Sequence, residues 1–453
     1  MTAPRFPRVA VIGGGPAGMA SAKALALEPN KLTAIDVYER RDRLGGIWYY
    51  MNTPKDNVLP PIPSTSCEDH EVVLKPGFIS SMYTYLETNL QVKLMEYSNL
   101  PFEGGDFPPR TKVYDYLNEY AKTIPESVNV KFNSDVDEVK KEGDVWKVTS
   151  NGELIEYDAV IVANGHFDLP FIPNVFGLSE WNEKRPNTVT HSKYFVTSEP
   201  YKGKTVLVVG NAWSGIDVAV QVGVVAKKVY VSSRTPEKIT KIDLSSVEEV
   251  GVITEFDHEN QRVILADGTV LENIDAVIYC TGYLYQMPFL KTYGDLITEH
   301  VIKGLFHQTL YVEDPSISFV ALQKGVLPMP LSELQAAMIA RVYSGRLALP
   351  PTCHMRAMSN AEYEARGDKI HEFNYPLDVE LYRSYFKVLA DRPGLLDSGL
   401  IPVYWDDEMK KARSETKDLK LARIKEIFKW AEHLRKEGKP FTLAPHKRGE
   451  FGH

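Results

Sequence analysis

The sequence predicts an α/β protein made of two copies of one plan, each a parallel sheet with helices and a small antiparallel β-meander. Three observations carry this. A glycine turn, Gly13-Gly14-Gly15-Pro16-Ala17-Gly18, follows a short apolar run at residues 8–12. A second turn, Gly210-Asn211-Ala212-Trp213-Ser214-Gly215, follows the run at 204–209. Each half then closes on a similar segment, LIEYDAVIVANG at 154–165 and LENIDAVIYCTG at 271–282. Two matching halves are far harder to obtain by chance than one glycine motif.

In chain order, the first strand (8–12) leads through its glycine turn into a helix carrying Ala20, Ala24 and Leu27, closed by Pro29-Asn30. The next strand, Thr33 to Glu39, ends on an acid. Residues 50–82 form a proline- and serine-rich loop without periodicity, long enough to suggest a function. Alternation at Val145-Trp146-Lys147-Val148 and the turns Asn151-Gly152 and Asp267-Gly268 mark hairpin strands in the two halves. In the second half, a helix from Ile216 to Ala226 is followed by the strand Lys228 to Ser233, which ends beside Arg234.

The proline-rich segment LPFIPNVFGL (169–178) suits a domain crossing, with YLYQMPFL (283–290) as its mirror exit. The expected organisation is a first domain at 1–170, an inserted second domain at 171–285, and the remainder of the first domain with C-terminal helices at 286–453. Leu421, Ile424, Ile427, Phe428, Ala431 and Leu434 make a helical stripe that Gly438 can cap. It reads as a helix packed on the core rather than on a membrane or a partner.

The chain has 453 residues, 43% hydrophobic and 25% charged, the composition of an ordinary globular protein with room for two or three domains. A net charge of −8 gives no basic face for nucleic acid, so none is expected as a partner. Cys67, Cys280 and Cys353 lie far apart, which argues against a disulfide framework, a zinc site and a CxxC redox pair; no metal is expected. The first strand begins at Arg8 with no leader-like stretch before it, and no apolar run approaches a membrane span. A cytoplasmic protein is expected, and a homodimer is compatible with the reading.

The chemistry of the first turn follows from its glycines. Gly13 permits the tight turn, Gly15 lets the backbone approach a pyrophosphate, and Gly18 lets helix and strand pack closely. The helix start offers unpaired N–H groups and its positive end to phosphate. Glu39 can accept both hydroxyls of an adenosine ribose, which implies FAD or NAD. At the second strand tip stand Ser232, Ser233 and Arg234, which suit a 2′-phosphate and therefore NADP(H) over NAD(H). Alternatively, Arg234 is a solvated arginine at a strand end. The halves thus read as two Rossmann-like dinucleotide-binding domains, with a flavin reduced by NADPH. The electrons could pass to a disulfide, another carrier or oxygen, and the lack of a CxxC pair disfavours the disulfide.

These residues resemble the flavin-containing monooxygenase family, in layout its short fungal forms, over nearly the whole chain. GGGPAG followed by VYERRDRLGGIW resembles the family's FAD segment, including Gly45, Gly46 and Trp48. YLETNLQVKLMEY (85–97) resembles its active-site stretch around a Thr-Asn pair, here Thr88-Asn89. THSKYF (190–195) resembles its HxxxF/Y element, with His191 and Phe195, and YCTGY (279–283) its late ATGY segment. DPSISFVAL and PLSELQAAMIARVYSGRL match the segment that follows, in which a helix start carrying Gln335 approaches the flavin. Four positions depart from the pattern: Arg185 and Asn187 replace the FxG before the histidine, Ala212 the middle glycine, and Gln91 a common proline.

The resemblance implies hydride transfer from NADPH to FAD, then oxygen addition to give a C4a-hydroperoxide that oxygenates a soft nitrogen or sulfur nucleophile. Substrates would be small amines, thiols or sulfides together with O2. It makes Asn89 the catalytic residue, a neutral amide that hydrogen-bonds the intermediate without offering it a proton. From the sequence alone, Asn89 is equally a helix cap or a turn residue. The implied cofactor-binding residues are Gly13, Gly15, Ala17, Gly18, Glu39, Arg40, Gly46, Ile47, Trp48, Thr88, Asn89, Val136 and Gln335, with Gly210, Ala212, Ser214, Gly215, Ser232, Ser233 and Arg234. His191 reads as a domain-linking residue near the NADP site, not a general base. Alternatives are a Baeyer–Villiger or N-hydroxylating relative, and an NADPH-consuming flavoprotein that releases peroxide. Baeyer–Villiger members usually place tryptophan where Phe195 stands.

Overall fold

The computed structural model describes residues 3–51, 60–66, 78–235, 239–294 and 296–446. Most of the 50–82 loop, with Cys67, lies outside the described residues. The chain divides into two units. The first comprises residues 1–49, 90–166 and 285–416, and the second residues 50–89, 167–284 and 417–453.

In the first unit, strand Arg8–Ile12 lies at the heart of a seven-stranded sheet. Val9, Ala10 and Val11 are fully buried, so the run is apolar on both faces, as expected where helices or a second layer cover each side of a parallel sheet. It pairs in parallel with Ala34–Tyr38 on one side and Ala159–Val162 on the other. Asn129–Lys131 and Ile317–Phe319 extend the parallel set, and two short antiparallel strands, Leu305–Phe306 and Leu310–Tyr311, close one edge. Helices Pro16–Ala26 and Pro328–Tyr343 carry Ala20, Ala24, Leu334 and Met338 into one core cluster with Val9, Val11 and Ile161. The expected meander is the antiparallel triplet Val136–Glu142, Val145–Ser150 and Glu153–Tyr157.

The second unit repeats the plan with five parallel strands in the order Val247–Val250, Lys228–Ser232, Thr205–Val209, Ala276–Tyr279, Val189–His191. The registers correspond: Ile12 is opposite Tyr38 in the first sheet, and Val209 opposite Ser232 in the second. Its meander is Ile253–Asp257, Arg262–Leu265 and Val270–Glu272. The two expected crossing segments pair with each other inside this unit, Leu169 opposite Leu284 and Pro170 opposite Tyr283.

One expectation is corrected. Residues 417–453 and 50–89 were assigned to the first domain, but both belong to the second unit. The reason is burial. Helix Asp407–Lys436 places Ile424, Phe428, Ala431 and Leu434 in one cluster with Val206, Val208, Val218 and Val222. Arg435 also donates to the carbonyls of Gly223 and Ala226, at 2.8 and 2.7 Å, where helix Trp213–Val225 runs out of internal donors. The stripe is a core-packing face, and the core it packs against is that of the second unit.

Candidate functional site

Gly13 sits at φ +106°, and a Cβ there would lie 2.5 Å from the Ala163 carbonyl oxygen, so only glycine fits. Its N–H donates to the Tyr38 carbonyl at 2.8 Å. A Cβ on Gly18 would lie 1.8 Å from the Gly13 oxygen, which is the close helix–strand contact the motif predicts. Gly15 differs from both. Its backbone is extended (φ −76°, ψ −173°), and its missing Cβ would meet nothing nearer than the Gly46 Cα at 3.4 Å. The vacancy at Gly15 therefore serves close approach, not backbone strain.

Helix Pro16–Ala26 starts without a side-chain cap and without an acid in its first turn. The N–H groups around Ala17 and Gly18 and the positive end of the helix are thus left for an anion. Glu39 is buried one residue beyond its strand. Its Oε2 accepts from Gly14 N and its Oε1 from Arg41 N, both at 2.9 Å. Each oxygen keeps a lone pair for a ribose hydroxyl. Ser134 N donates to the Glu39 carbonyl at 2.9 Å, which brings the chain entering Val136 alongside the strand tip, while Arg40 points outward. These residues fit an FAD adenosine diphosphate.

Sequence reading missed Arg41. Its guanidinium donates to the Gly46 carbonyl and, at 2.7 Å, to the Tyr49 carbonyl, so it holds the turn Gly46–Ile47–Trp48. Gly45 N donates to Gly14 O at 3.0 Å and ties that turn to the glycine turn. Within the run Glu39-Arg40-Arg41-Asp42-Arg43, nothing local separates this arginine from its neighbours.

Gln335 is corrected. It lies in the middle of helix Pro328–Tyr343, not at its start, and is fully buried. Its Oε1 accepts from Ala321 N at 2.8 Å, and its Nε2 donates to Gln323 Oε1 and Tyr385 Oη at 2.9 and 3.0 Å. Three of its four amide hydrogen bonds are made inside the protein, where it braces the Ala321–Gln323 segment.

The second turn reproduces the first. Gly210 has φ +110°, its Cβ would lie 2.7 Å from the Cys280 oxygen, and its N–H donates to Ser232 O at 2.8 Å. A Cβ on Gly215 would lie 1.8 Å from the Gly210 oxygen. Helix Trp213–Val225 also begins uncapped by any side chain and without an acid, with Ser214 exposed in its first turn. Asn211, which sequence reading passed over, donates from Nδ2 to Thr235 O at 2.7 Å and ties the turn to the strand-tip loop.

At that tip the expected trio divides. Ser232 is buried, and its hydroxyl donates to Gly251 O at 2.8 Å. Ser233 donates to Thr235 O at 3.1 Å from a half-buried position. Arg234 is exposed and has no partner among the described residues.

Asn89 lies in a bend outside any helix or strand. The following 3-10 helix, Val92–Met95, takes Gln91 as its N-cap, so Asn89 does not cap it. Its half-buried side-chain amide makes no hydrogen bond among the described residues. Thr88, buried beside it, accepts from Lys420 Nζ through its carbonyl at 2.7 Å. Gln91 is engaged elsewhere, through Asp106 and Thr416 at 3.2 and 3.1 Å.

His191 ends the edge strand and is fully buried, with its ring 5.1 Å from that of Tyr283. Its Nδ1 accepts from Lys193 N at 3.1 Å, and burial together with the nearby Lys193 charge pushes its pKa down to about 3. A neutral ring packed in this way fixes a chain bend. Cys280 is likewise inert, its thiol pushed up to about 12 by burial.

Three family profiles match the chain: NAD(P)-binding Rossmann-like domain at residues 11–66, pyridine nucleotide-disulphide oxidoreductase at 75–303, and flavin-binding monooxygenase-like at 236–391. A thiol-specific monooxygenase of Saccharomyces cerevisiae is 32% identical over 98% of this chain and 100% of its own. A flavin-containing monooxygenase of Arabidopsis thaliana, FMO GS-OX-like 2, is 31% identical over 79% of this chain and 78% of its own. Among solved structures, S-allyl-L-cysteine S-oxygenase from Allium sativum superposes with a TM-score of 0.75 at 27% identity, covering 93% of this chain and 98% of that one.

Proposed function

The chain belongs to the flavin-containing monooxygenase family, and from that premise we propose how its residues divide the work and which substrates they serve. It is a flavoprotein monooxygenase that uses FAD and NADPH, with two Rossmann-like domains. Bound FAD supplies the redox chemistry, taking reducing equivalents from NADPH and activating oxygen for transfer to a nitrogen or sulfur nucleophile.

The observation that carries the division is the contrast between two otherwise matching turns. In the first, Glu39 closes the strand tip and Gly15 leaves room for backbone approach. A carboxylate there accepts ribose hydroxyls and repels a 2′-phosphate, so this turn holds FAD. In the second, exposed Arg234 takes the 2′-phosphate of NADPH by a charge-assisted bond. Gly13, Gly18, Gly210 and Gly215 set both turns, and the uncapped helix starts at Ala17 and Ser214 face the pyrophosphates. Arg41 holds Gly46, Ile47 and Trp48 beside the first turn. Asn89 supplies the neutral amide to the reacting centre, since its side chain has no partner among the described residues and an amide can donate a hydrogen bond without giving up a proton.

The substrate class we propose is a small thiol or thioether. The thiol specificity of the yeast relative, matched over its full length, and the S-oxygenase among the solved structures support it. Among the described residues no helix is long and apolar enough to cross a membrane. A cytoplasmic location is part of the proposal, supported by a content of only three cysteines. A homodimer is also part of it, to be checked by sedimentation.

The test is to reduce the holoenzyme anaerobically with NADPH, add oxygen, and follow the flavin absorbance. Reoxidation accelerated by a thiol or thioether, with sulfur oxygenated in proportion to NADPH consumed, is expected. Immediate reoxidation with stoichiometric peroxide, whatever the addition, overturns the proposal.

A further inference from the structure

Helix Asp407–Lys436 carries two cations, Lys420 and Arg423, three residues apart and so on neighbouring positions of one face. Both are buried in the second unit against a single carboxylate, Glu87. Lys420 Nζ lies 3.0 Å from Glu87 Oε1, and Arg423 Nη2 lies 2.8 Å from Glu87 Oε2. Arg423 is itself held by the Pro445 and Ala444 carbonyls at 3.0 and 2.7 Å, and His446 Nε2 stands 3.2 Å from Glu87 Oε2. Nearby, Tyr83 donates to Asp217 on the helix behind the second glycine turn. Gln221 donates to Asp217 and to the Tyr85 carbonyl, both at 3.2 Å.

Burying such a cluster adds little net stability, because desolvation of the charges offsets their attraction. What it can secure is geometry. Lys420 spends one of its donors on the Thr88 carbonyl at 2.7 Å. The Thr88 carbonyl and the Asn89 N–H belong to one rigid peptide plane. Orienting that plane sets the direction in which the Asn89 side chain leaves the backbone. Since Asn89 lies in a bend outside any helix or strand, no regular element does this for it. Reactive groups need placement within about 0.5 Å, which a loop alone seldom provides.

We propose that Lys420 is a positioning residue for Asn89, acting through the Thr88 carbonyl, with Glu87 and Arg423 holding its ammonium in place. The inference rests on the functional reading of Asn89 given above. It makes the C-terminal helix part of the catalytic apparatus while placing none of its side chains on the substrate.

The test uses the full-length holoenzyme with Lys420→Met, Lys420→Gln, Asn89→Ala and the Lys420→Met/Asn89→Ala double variant. Two readouts are taken: backbone deuterium exchange over residues 86–90 without turnover, and the fraction of NADPH electrons released as peroxide. Lys420→Met should exchange about tenfold faster there, as expected for a locally released segment. Its peroxide fraction should rise toward that of Asn89→Ala, and the double variant should be no worse than Asn89→Ala alone. Should Lys420→Met fail to retain FAD, Lys420→Gln, with a shorter neutral donor, should show intermediate exchange and coupling. Exchange at the wild-type rate, or peroxide release that adds to that of Asn89→Ala, overturns the inference alone. Unchanged coupling in Asn89→Ala overturns the reading of Asn89 and the inference with it.

Discussion

Ala212 and Gly15 occupy equivalent places in the two glycine turns with the same backbone, φ −76° and ψ −176° for the alanine against φ −76° and ψ −173° for the glycine. Any L residue adopts these angles, so the alanine is unstrained and its exposed methyl group only narrows the approach of a phosphate.

Ala212→Gly should therefore tighten NADP+ binding by about threefold, ~0.6 kcal/mol, and leave the flavin content unchanged. Titration of NADP+ into the holoenzyme checks this, and unchanged or weaker affinity would count against it. The reciprocal change, Gly15→Ala, puts a Cβ 3.4 Å from the Gly46 Cα and should lower the FAD content of the purified protein.

Gly18→Ala and Gly215→Ala are different in kind. Each would place a methyl carbon 1.8 Å from a carbonyl oxygen of its own turn, and backbone must shift to admit it. Each should cost about 2–3 kcal/mol of stability, with Gly18→Ala losing flavin and Gly215→Ala losing response to NADPH. Thermal melts and flavin absorbance measure both losses, and wild-type melting would refute the close contact.

Arg234→Ala should lower kcat/KM for NADPH by about 10- to 100-fold, the worth of a charged hydrogen bond, while leaving kcat/KM for NADH unchanged. Parallel assays with the two nucleotides decide it. An equal fall for both would show that Arg234 serves the loop and not the 2′-phosphate.

Acid should destabilise the protein well above the range of ordinary carboxylates. Burial pushes His166, His191 and His371 each down to about 3, from an ordinary value of 6.5. Between those values the unfolded chain binds protons that the native state refuses. Stability is then complete above pH 6.5 and falls toward pH 3 by about 1.4 kcal/mol per pH unit for each histidine. Glu87 acts in the window below. Burial alone would raise it, but His446, Lys420 and Arg423 draw it down to about 2, so its contribution fades as pH falls from 4.5. Urea midpoints from pH 7.5 to 5 should show the histidine slope, and His191→Asn should flatten it. A midpoint independent of pH over that interval would sink this account.

The two turns, their helices and their strand tips were legible because each depends on residues within one βαβ stretch. Glu39 and Arg234 could be placed from their offsets alone, one and two residues past the ends of matching strands. Legibility failed where the deciding contact is remote. Gln335 faces Ala321 and Tyr385 for reasons of helix phase, and Arg41 differs from Arg40 and Arg43 only by where the fold points it. The C-terminal stripe was visible as a stripe, but the core that receives it was not, since Ile424 shares a core cluster with Val208 and Val218, some two hundred residues away.

The bond between Lys420 and Glu87 joins residues 333 positions apart, inside a unit assembled from three separated stretches of chain. Synthesis runs from the N-terminus at about 5–20 residues per second, so Glu87 leaves the ribosome many seconds before its cations. Until residues 420–446 emerge, a carboxylate destined for the interior has no counter-charge and must stay hydrated. The second unit therefore cannot complete its interior until that stretch has emerged. A polypeptide stopped before Lys420 would carry both glycine turns and still lack the means to set Thr88.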